Sequence, residues 1–267
     1  MHESRPTEDP PPGAAAWTPG WRGAEAGSRR MPDEQPAGLI LKGLGGVVRG
    51  LAALVWALPL ALALVVWTVS RGSSGVPSPL SDFLFSLGIA PGLLVTAILW
   101  YGVTQVGHFQ PGLAAWQRAA DRARGLAILL VGLSPFLYWW SRRPDLVYFK
   151  IAAAALILFG LLFIAQVNTL LRRLTALLPD QALREETASM ARLNYVILGA
   201  LGGLQLMLFG LDRVTFDAAA GLVAYRYFWF ARLLLLLFMV MPLAITIAVM
   251  WKIKETILQS VFSAGPR

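Results

Sequence analysis

The side chains that could do chemistry in this sequence are few, and they lie away from its long apolar segments. None of the 15 Asp and Glu residues falls within those segments, there is no cysteine, and His108 is one of two histidines. Acid–base, nucleophilic and metal chemistry each need two or more such groups held together. The sequence therefore predicts no catalytic residue, no cofactor and no metal site, and we expect a protein that is not an enzyme.

Neutral polar residues do occur in or at the ends of the apolar segments. The candidate polar intramembrane residues are Gln105, His108, Gln166, Asn168 and Gln205, and Asn194 lies just before the fifth segment. Two interpretations are open: the residues line a polar path, or they make hydrogen bonds between helices. We favour the second, because proton-coupled carriers usually rely on a titratable group deep in the membrane, whereas interhelical hydrogen bonds of about 1 kcal/mol are common.

Small residues indicate a helix-packing face in the fifth segment. Gly199 and Gly203 form a G-x-x-x-G pair, whose spacing puts two missing side chains on one face and lets another helix approach closely. The fourth segment offers Ala152 to Ala155 and Gly160 as a plausible partner surface. Prolines lie within the first, third and sixth segments, where they are expected to kink the helices; they are Pro59, Pro135 and Pro242.

The elements that must position these residues are six apolar segments. A helix needs about 20 apolar residues to cross a bilayer, and only helices satisfy their own backbone hydrogen bonds at such lengths in lipid. The composition, 57% hydrophobic and 14% charged, is too poor in charge for a soluble bundle. The prediction is an all-α transmembrane bundle with spans at about 51–69, 83–106, 126–140, 151–171, 195–211 and 233–251.

Four connecting segments carry their own predictions. Residues 37–50 are expected to form an interfacial helix before the first span, and residues 112–124 a short amphipathic helix along the membrane surface. Asp180 is expected to cap a helix that runs through Met190 into the fifth span. Residues 214–226 are moderately apolar and predict a short surface helix.

The basic residues predict the orientation. With both termini in the cytoplasm, 16 of the 23 Lys and Arg residues fall on the cytoplasmic side, as the positive-inside rule requires. The formal net charge of +8 then reflects a basic rim beside anionic lipid. We therefore expect no nucleic-acid partner.

Residues 1–36 are predicted to be a disordered cytoplasmic tail, separate from a transmembrane domain at 37–267. The tail contains Pro10 to Pro12, scattered Gly and mixed charges, and it has too little apolar surface to offset the entropy of ordering. Trp17 and Trp21 are its most unusual residues. A docking role for this pair is open, although incidental aromatics in a tether are the simpler interpretation.

These features favour a non-enzymatic accessory or scaffold subunit that binds other membrane components. Its expected partners are the lipid bilayer and either another membrane protein or further copies of the chain. The alternative is a permease subunit whose energy comes from a separate ATPase, which six spans and basic cytoplasmic segments would suit. A membrane enzyme acting on lipid ranks last. Residue usage rich in Ala and Arg and poor in Lys suggests a bacterial inner membrane.

Overall fold

A computed structural model describes residues 37–74, 86–109, 113–143, 145–177, 180–211 and 218–263. The predicted tail, with Trp17 and Trp21, lies outside the described residues. The chain divides into two compact units, Met1–Ile40 and Leu41–Arg267, and the contacts reported below belong to the second. The described part forms six helices: α1 Ala37–Ser74, α2 Ala90–Gly107, α3 Ala114–Arg142, α4 Val147–Ala176, α5 Gln181–Leu211 and α6 Ala218–Ser263.

The described part of the chain is all-helical, as predicted, and its apolar helices indicate a multi-pass membrane protein. Helices α1 to α5 are each long and apolar enough to cross a membrane. Their outer faces carry large apolar side chains that water would solvate poorly, such as Trp56 on α1 (72% exposed) and Leu94 on α2 (64% exposed). Such faces suit contact with lipid chains. The predicted sixth span, 233–251, lies within the 46-residue helix α6.

Three connecting segments predicted as separate helices are instead continuous with the spans beside them. Helix α1 includes 37–50 together with the first span, α3 runs without interruption from Ala114 through the third span, and α6 already begins at Ala218. The predictions of a separate helix at 112–124 and at 214–226 are therefore wrong. A change from charged to apolar residues alters the solvent a helix prefers, but it does not interrupt the backbone hydrogen bonds that propagate the helix.

The second span begins later than predicted. Residues 83–85 lie outside the described part, Leu87 to Ile89 form a turn, and the helix starts at Ala90. Gly88 adopts a positive φ of 62°, which glycine tolerates without steric cost. Pro91 then occupies the first turn, where its missing N–H leaves no helical bond unmade. The turn and the proline thus fix the helix start about seven residues after the predicted position.

The predicted cap at Asp180 is confirmed. Its Oδ1 accepts a hydrogen bond of 3.1 Å from the backbone N–H of Leu183, which satisfies one of the donors exposed at the start of α5. Arg184 Nη2 donates across the turn to the carbonyl of Ala176 at 3.1 Å, near the end of α4. Polar side chains at the α4–α5 connection therefore satisfy backbone groups at the end of α4 and at the start of α5.

Helices adjacent in sequence pack against one another from α2 to α6, and α4 also contacts α6. Helix α1 crosses α2 very closely at Gly50 and Gly102. A single hydrophobic core draws on all six helices. At one end of it, Trp116 is 2% exposed, and its Nε1 donates to the carbonyl of Gly107 at 3.2 Å.

Candidate functional site

A cluster of neutral polar side chains lies where α4, α5 and α6 meet. Asn168 comes from α4, Asn194 from α5 and Thr246 from α6, and each is at most 2% exposed. We call these three residues the amide cluster. Their positions explain their inward direction, since each follows the face of its helix that carries core residues such as Ile164, Leu198 and Met250.

The Thr246 hydroxyl is the centre of the amide cluster. It accepts hydrogen bonds from Asn194 Nδ2 at 2.8 Å and from Asn168 Nδ2 at 3.1 Å. In return it donates to the carbonyl oxygen of Pro242 at 2.7 Å. This hydroxyl therefore links three helices, because both of its lone pairs accept hydrogen bonds and its single proton is donated.

The second anchor of the cluster is a backbone carbonyl at the proline of α6. The Pro242 oxygen also accepts from Asn194 Nδ2 at 3.1 Å. Proline has no N–H, so the carbonyl of Phe238, four residues earlier, loses its helical hydrogen bond. The side chains of α5 and α6 thus hydrogen-bond to α6 about one turn after the carbonyl that lacks its helical partner.

One buried polar atom of the amide cluster makes no hydrogen bond within the described residues. Asn194 is fully buried, and its Oδ1 has no hydrogen-bond partner in the part of the chain that the structure describes. Exchanging its amide oxygen and nitrogen would turn an acceptor toward the Pro242 carbonyl, so the hydrogen bonds fix the orientation. The site can accept one further hydrogen bond, and its uncharged groups cannot release or take up a proton near neutral pH.

Polar contacts continue along α5 on both sides of the cluster. Tyr195 and Thr169 share a hydrogen bond of 2.8 Å between their hydroxyl oxygens. Nearer one end of the bundle, Glu186 and Lys252 form an ion pair between α5 and α6. That pair borders a groove of about 330 Å³ between the two helices.

The structure separates the predicted polar residues from one another. Asn168 belongs to the amide cluster, as an interhelical hydrogen-bonding residue. Gln105, Gln166 and Gln205 are partly exposed, and within the described residues no side-chain hydrogen bond joins them to another helix. His108 is exposed just after the end of α2. Thr246 was missed, because threonine is an ordinary helix residue and nothing in its sequence neighbourhood marks it.

The predicted contact between the glycine pair and α4 is wrong. Gly199 and Gly203 are exposed, and a Cβ on either would meet no atom of the described residues within 4 Å. Gly160 of α4 likewise has open space at its Cβ position. Between the two predicted glycines, Gly202 does approach α4, with Leu158 Cδ1 at 3.9 Å. Helix α5 therefore turns a different face toward α4, and its G-x-x-x-G pair points away from the bundle.

Among the residues that the structure describes, no three His, Asp or Glu side chains lie close enough to hold a metal ion. No protein-family model matches the chain, and no curated protein or solved structure shows significant similarity to it.

Proposed function

We propose that this protein is a non-enzymatic accessory or scaffold subunit that binds another membrane component through the outer face of α5. The observation that carries the proposal is the exposed glycine pair, Gly199 and Gly203, with no atom of the described chain within 4 Å of either Cβ position. A groove of this kind lets a second helix bring its backbone close, which gains packing contacts that bulky side chains prevent.

The residues beside the glycine pair form the walls of that groove. Val196 is 67% exposed and Met207 is 60% exposed, and both lie on the same side of α5 as the glycines. Flexible and branched apolar side chains flanking a small-residue floor suit packing against another transmembrane helix. The partner is therefore a membrane-embedded helix, either from another protein or from a second copy of this chain.

The proposed setting is a bacterial inner membrane, with six spans and both termini in the cytoplasm. The distribution of basic residues supports this orientation. Reporter domains fused after residue 30 and after residue 260 should both be cytoplasmic, and one inserted near Ser74 should be external. Opposite locations for the two termini would mean an odd number of spans.

The interface is tested by Gly203→Leu, with Gly132→Leu on α3 as the matched control. Both glycines are exposed and have open space at Cβ, so both variants should fold with unchanged melting in detergent. Gly203→Leu should reduce co-purification of the partner, or the oligomeric mass measured in mild detergent, while Gly132→Leu should not. If the two variants assembled equally well, the outer face of α5 would not be the binding interface.

A permease subunit is the second candidate, and the observation that favours it is the buried Asn194 Oδ1, which has no hydrogen-bond partner among the described residues. Asn194 is 0% exposed, so a polar solute would reach this acceptor only in a conformation in which the helices have separated. Under this alternative, Asn194→Leu would abolish transport in cells at normal protein yield. Under the scaffold proposal, the same variant would lower stability without a separate loss of function.

A further inference from the structure

The interior of the bundle contains a second unexplained feature, an apolar cavity away from the amide cluster. Its volume is about 80 Å³, and its walls come from α1, α2, α3, α4 and α6. Its lining includes Leu62 and Val65 of α1 and Gly160 and Phe163 of α4. A cavity bordered by five of the six helices is a property of the whole bundle and not of one loose contact.

The few polar groups in its walls are already engaged. Thr96 Oγ1 lies 2.8 Å from the carbonyl of Gly92, one turn earlier in α2. Ser134 Oγ donates to the carbonyl of Val131 at 3.0 Å in the same way. None of the described wall residues is charged. Ordered water needs two to four polar partners, so neither water nor a charged ligand is stabilised here.

The size and position of the cavity further restrict which ligands can bind in it. An engineered apolar cavity of about 150 Å³ holds a benzene ring, so one of about 80 Å³ takes a short run of methylene groups and no ring system. Six of the seven half-buried wall residues, among them Ala61, Val65 and Gly160, lie on α1 and α4, and the seventh is Val95 of α2. They place the opening mainly between α1 and α4, where the surrounding solvent is lipid hydrocarbon.

We propose that this cavity binds part of one acyl chain of a bilayer lipid, which enters between α1 and α4 while the headgroup stays outside the bundle. An acyl chain that moves from the bilayer into the cavity excludes no water, so the favourable term is the dispersion contacts that an empty cavity lacks. In a bilayer the supply of acyl chains is not limiting, so even a modest preference keeps the site occupied. This proposal does not depend on the α5 interface.

The test uses vesicles of phosphatidylcholine that carries a photoactivatable diazirine in its acyl chain. After irradiation of the reconstituted full-length protein, labelled residues are mapped by mass spectrometry. In the wild type, labels are expected on the cavity walls, at Leu62 and Val65 of α1 and at Phe163 and Ile164 of α4, in addition to exposed sites such as Trp56. A wild type labelled only at exposed sites would show an empty cavity and overturn the proposal.

Filling the cavity supplies the control. Gly160→Leu places a side chain in open space at the cavity wall and should abolish wall labelling while labels at Trp56 persist. Gly132→Leu, an open glycine outside the cavity, should leave both unchanged. Ala61→Phe fills the cavity from α1 instead of α4, so the test does not depend on one variant folding. Wall labelling that persists in either folded filling variant would contradict acyl-chain binding in the cavity.

Discussion

Two glycine pairs with the same spacing lie in opposite environments in this molecule. Gly46 and Gly50 on α1 form a G-x-x-x-G pair, as do Gly199 and Gly203 on α5. A Cβ on Gly50 would lie 2.6 Å from the Gly102 carbonyl oxygen of α2, whereas a Cβ on Gly203 would have no atom within 4 Å in the part of the chain that the structure describes. Gly46 also faces α2, with the Gln105 carbonyl at 3.6 Å.

The comparison shows what the spacing does and does not determine. It places two glycines on one helix face, but the course of the whole chain decides which element meets that face. On α1 the face is used within the chain, and the close approach is mutual, since a Cβ on Gly102 would lie 3.0 Å from the Gly50 carbonyl. On α5 the same motif remains available to another molecule.

The largest expected effect is at the α1–α2 crossing. Gly50→Ala or Gly102→Ala puts a methyl group against the backbone or side chains of the other helix, and α1 must move away from α2. Such overpacking typically costs about 1–3 kcal/mol, measured as a lower melting temperature and yield in detergent. Gly203→Ala is the control and should melt at or slightly above the wild type, because alanine favours helix. Equal destabilisation at both sites would contradict the distinction between the two pairs.

An intermediate effect is expected in the amide cluster. Thr246→Val removes the acceptor shared by Asn168 and Asn194 while keeping the side-chain volume. Interhelical hydrogen bonds in membrane proteins average about 0.6 kcal/mol and reach about 1.7 kcal/mol, so thermal unfolding should occur at a measurably lower temperature. Gln205→Leu, at a half-buried position, should change melting little. A milder result for Thr246→Val than for Gln205→Leu would show that the cluster does not hold the helices together.

The smallest effect is expected in the turn between α3 and α4, where neither burial nor close packing contributes. Arg143 Nε lies 3.3 Å from Asp145 Oδ1, and this hydrogen-bonded guanidinium lowers the pKa of Asp145 below its ordinary 3.8. The lowered pKa means that the pair favours the folded state above the ordinary pKa and loses this contribution as pH falls through the lowered one. Because both side chains are exposed, solvent screening keeps the contribution small.

In the Arg143→Gln variant the pKa of Asp145 should rise toward 3.8. The carboxyl-carbon chemical shift of Asp145, followed by NMR against pH in detergent micelles, would report the midpoint directly. The same midpoint in both proteins would mean that the ion pair does not persist in solution.

The fold class could be predicted from the sequence because hydropathy and backbone hydrogen bonding leave few structures open to long apolar segments. The cap at Asp180 could be predicted because capping is local. Asn168 was identifiable as an amide in an apolar segment, but its partner Thr246 is 78 residues away. The contact between Gly50 and Gly102 could not be predicted either, because no local pattern shows which of several glycines on two helices will meet. The predicted end of the helix at 112–124 was wrong because the prediction followed the change from charged to apolar residues. A helix ends where its backbone hydrogen bonds stop, and these continue to Arg142.

Pro242 lies near the middle of the long helix α6, so a bend at this residue would move both ends of the helix. Its 46 residues span about 69 Å, and Pro242 divides them into arms of about 36 Å and 32 Å. A bend of about 20°, typical of a proline kink, would swing the end of the longer arm by about 12 Å. Asn194 and Thr246 hydrogen-bond to the carbonyl of Pro242, so the side-chain contacts of α5 and α6 restrain the helix where a small change of angle would move its ends farthest.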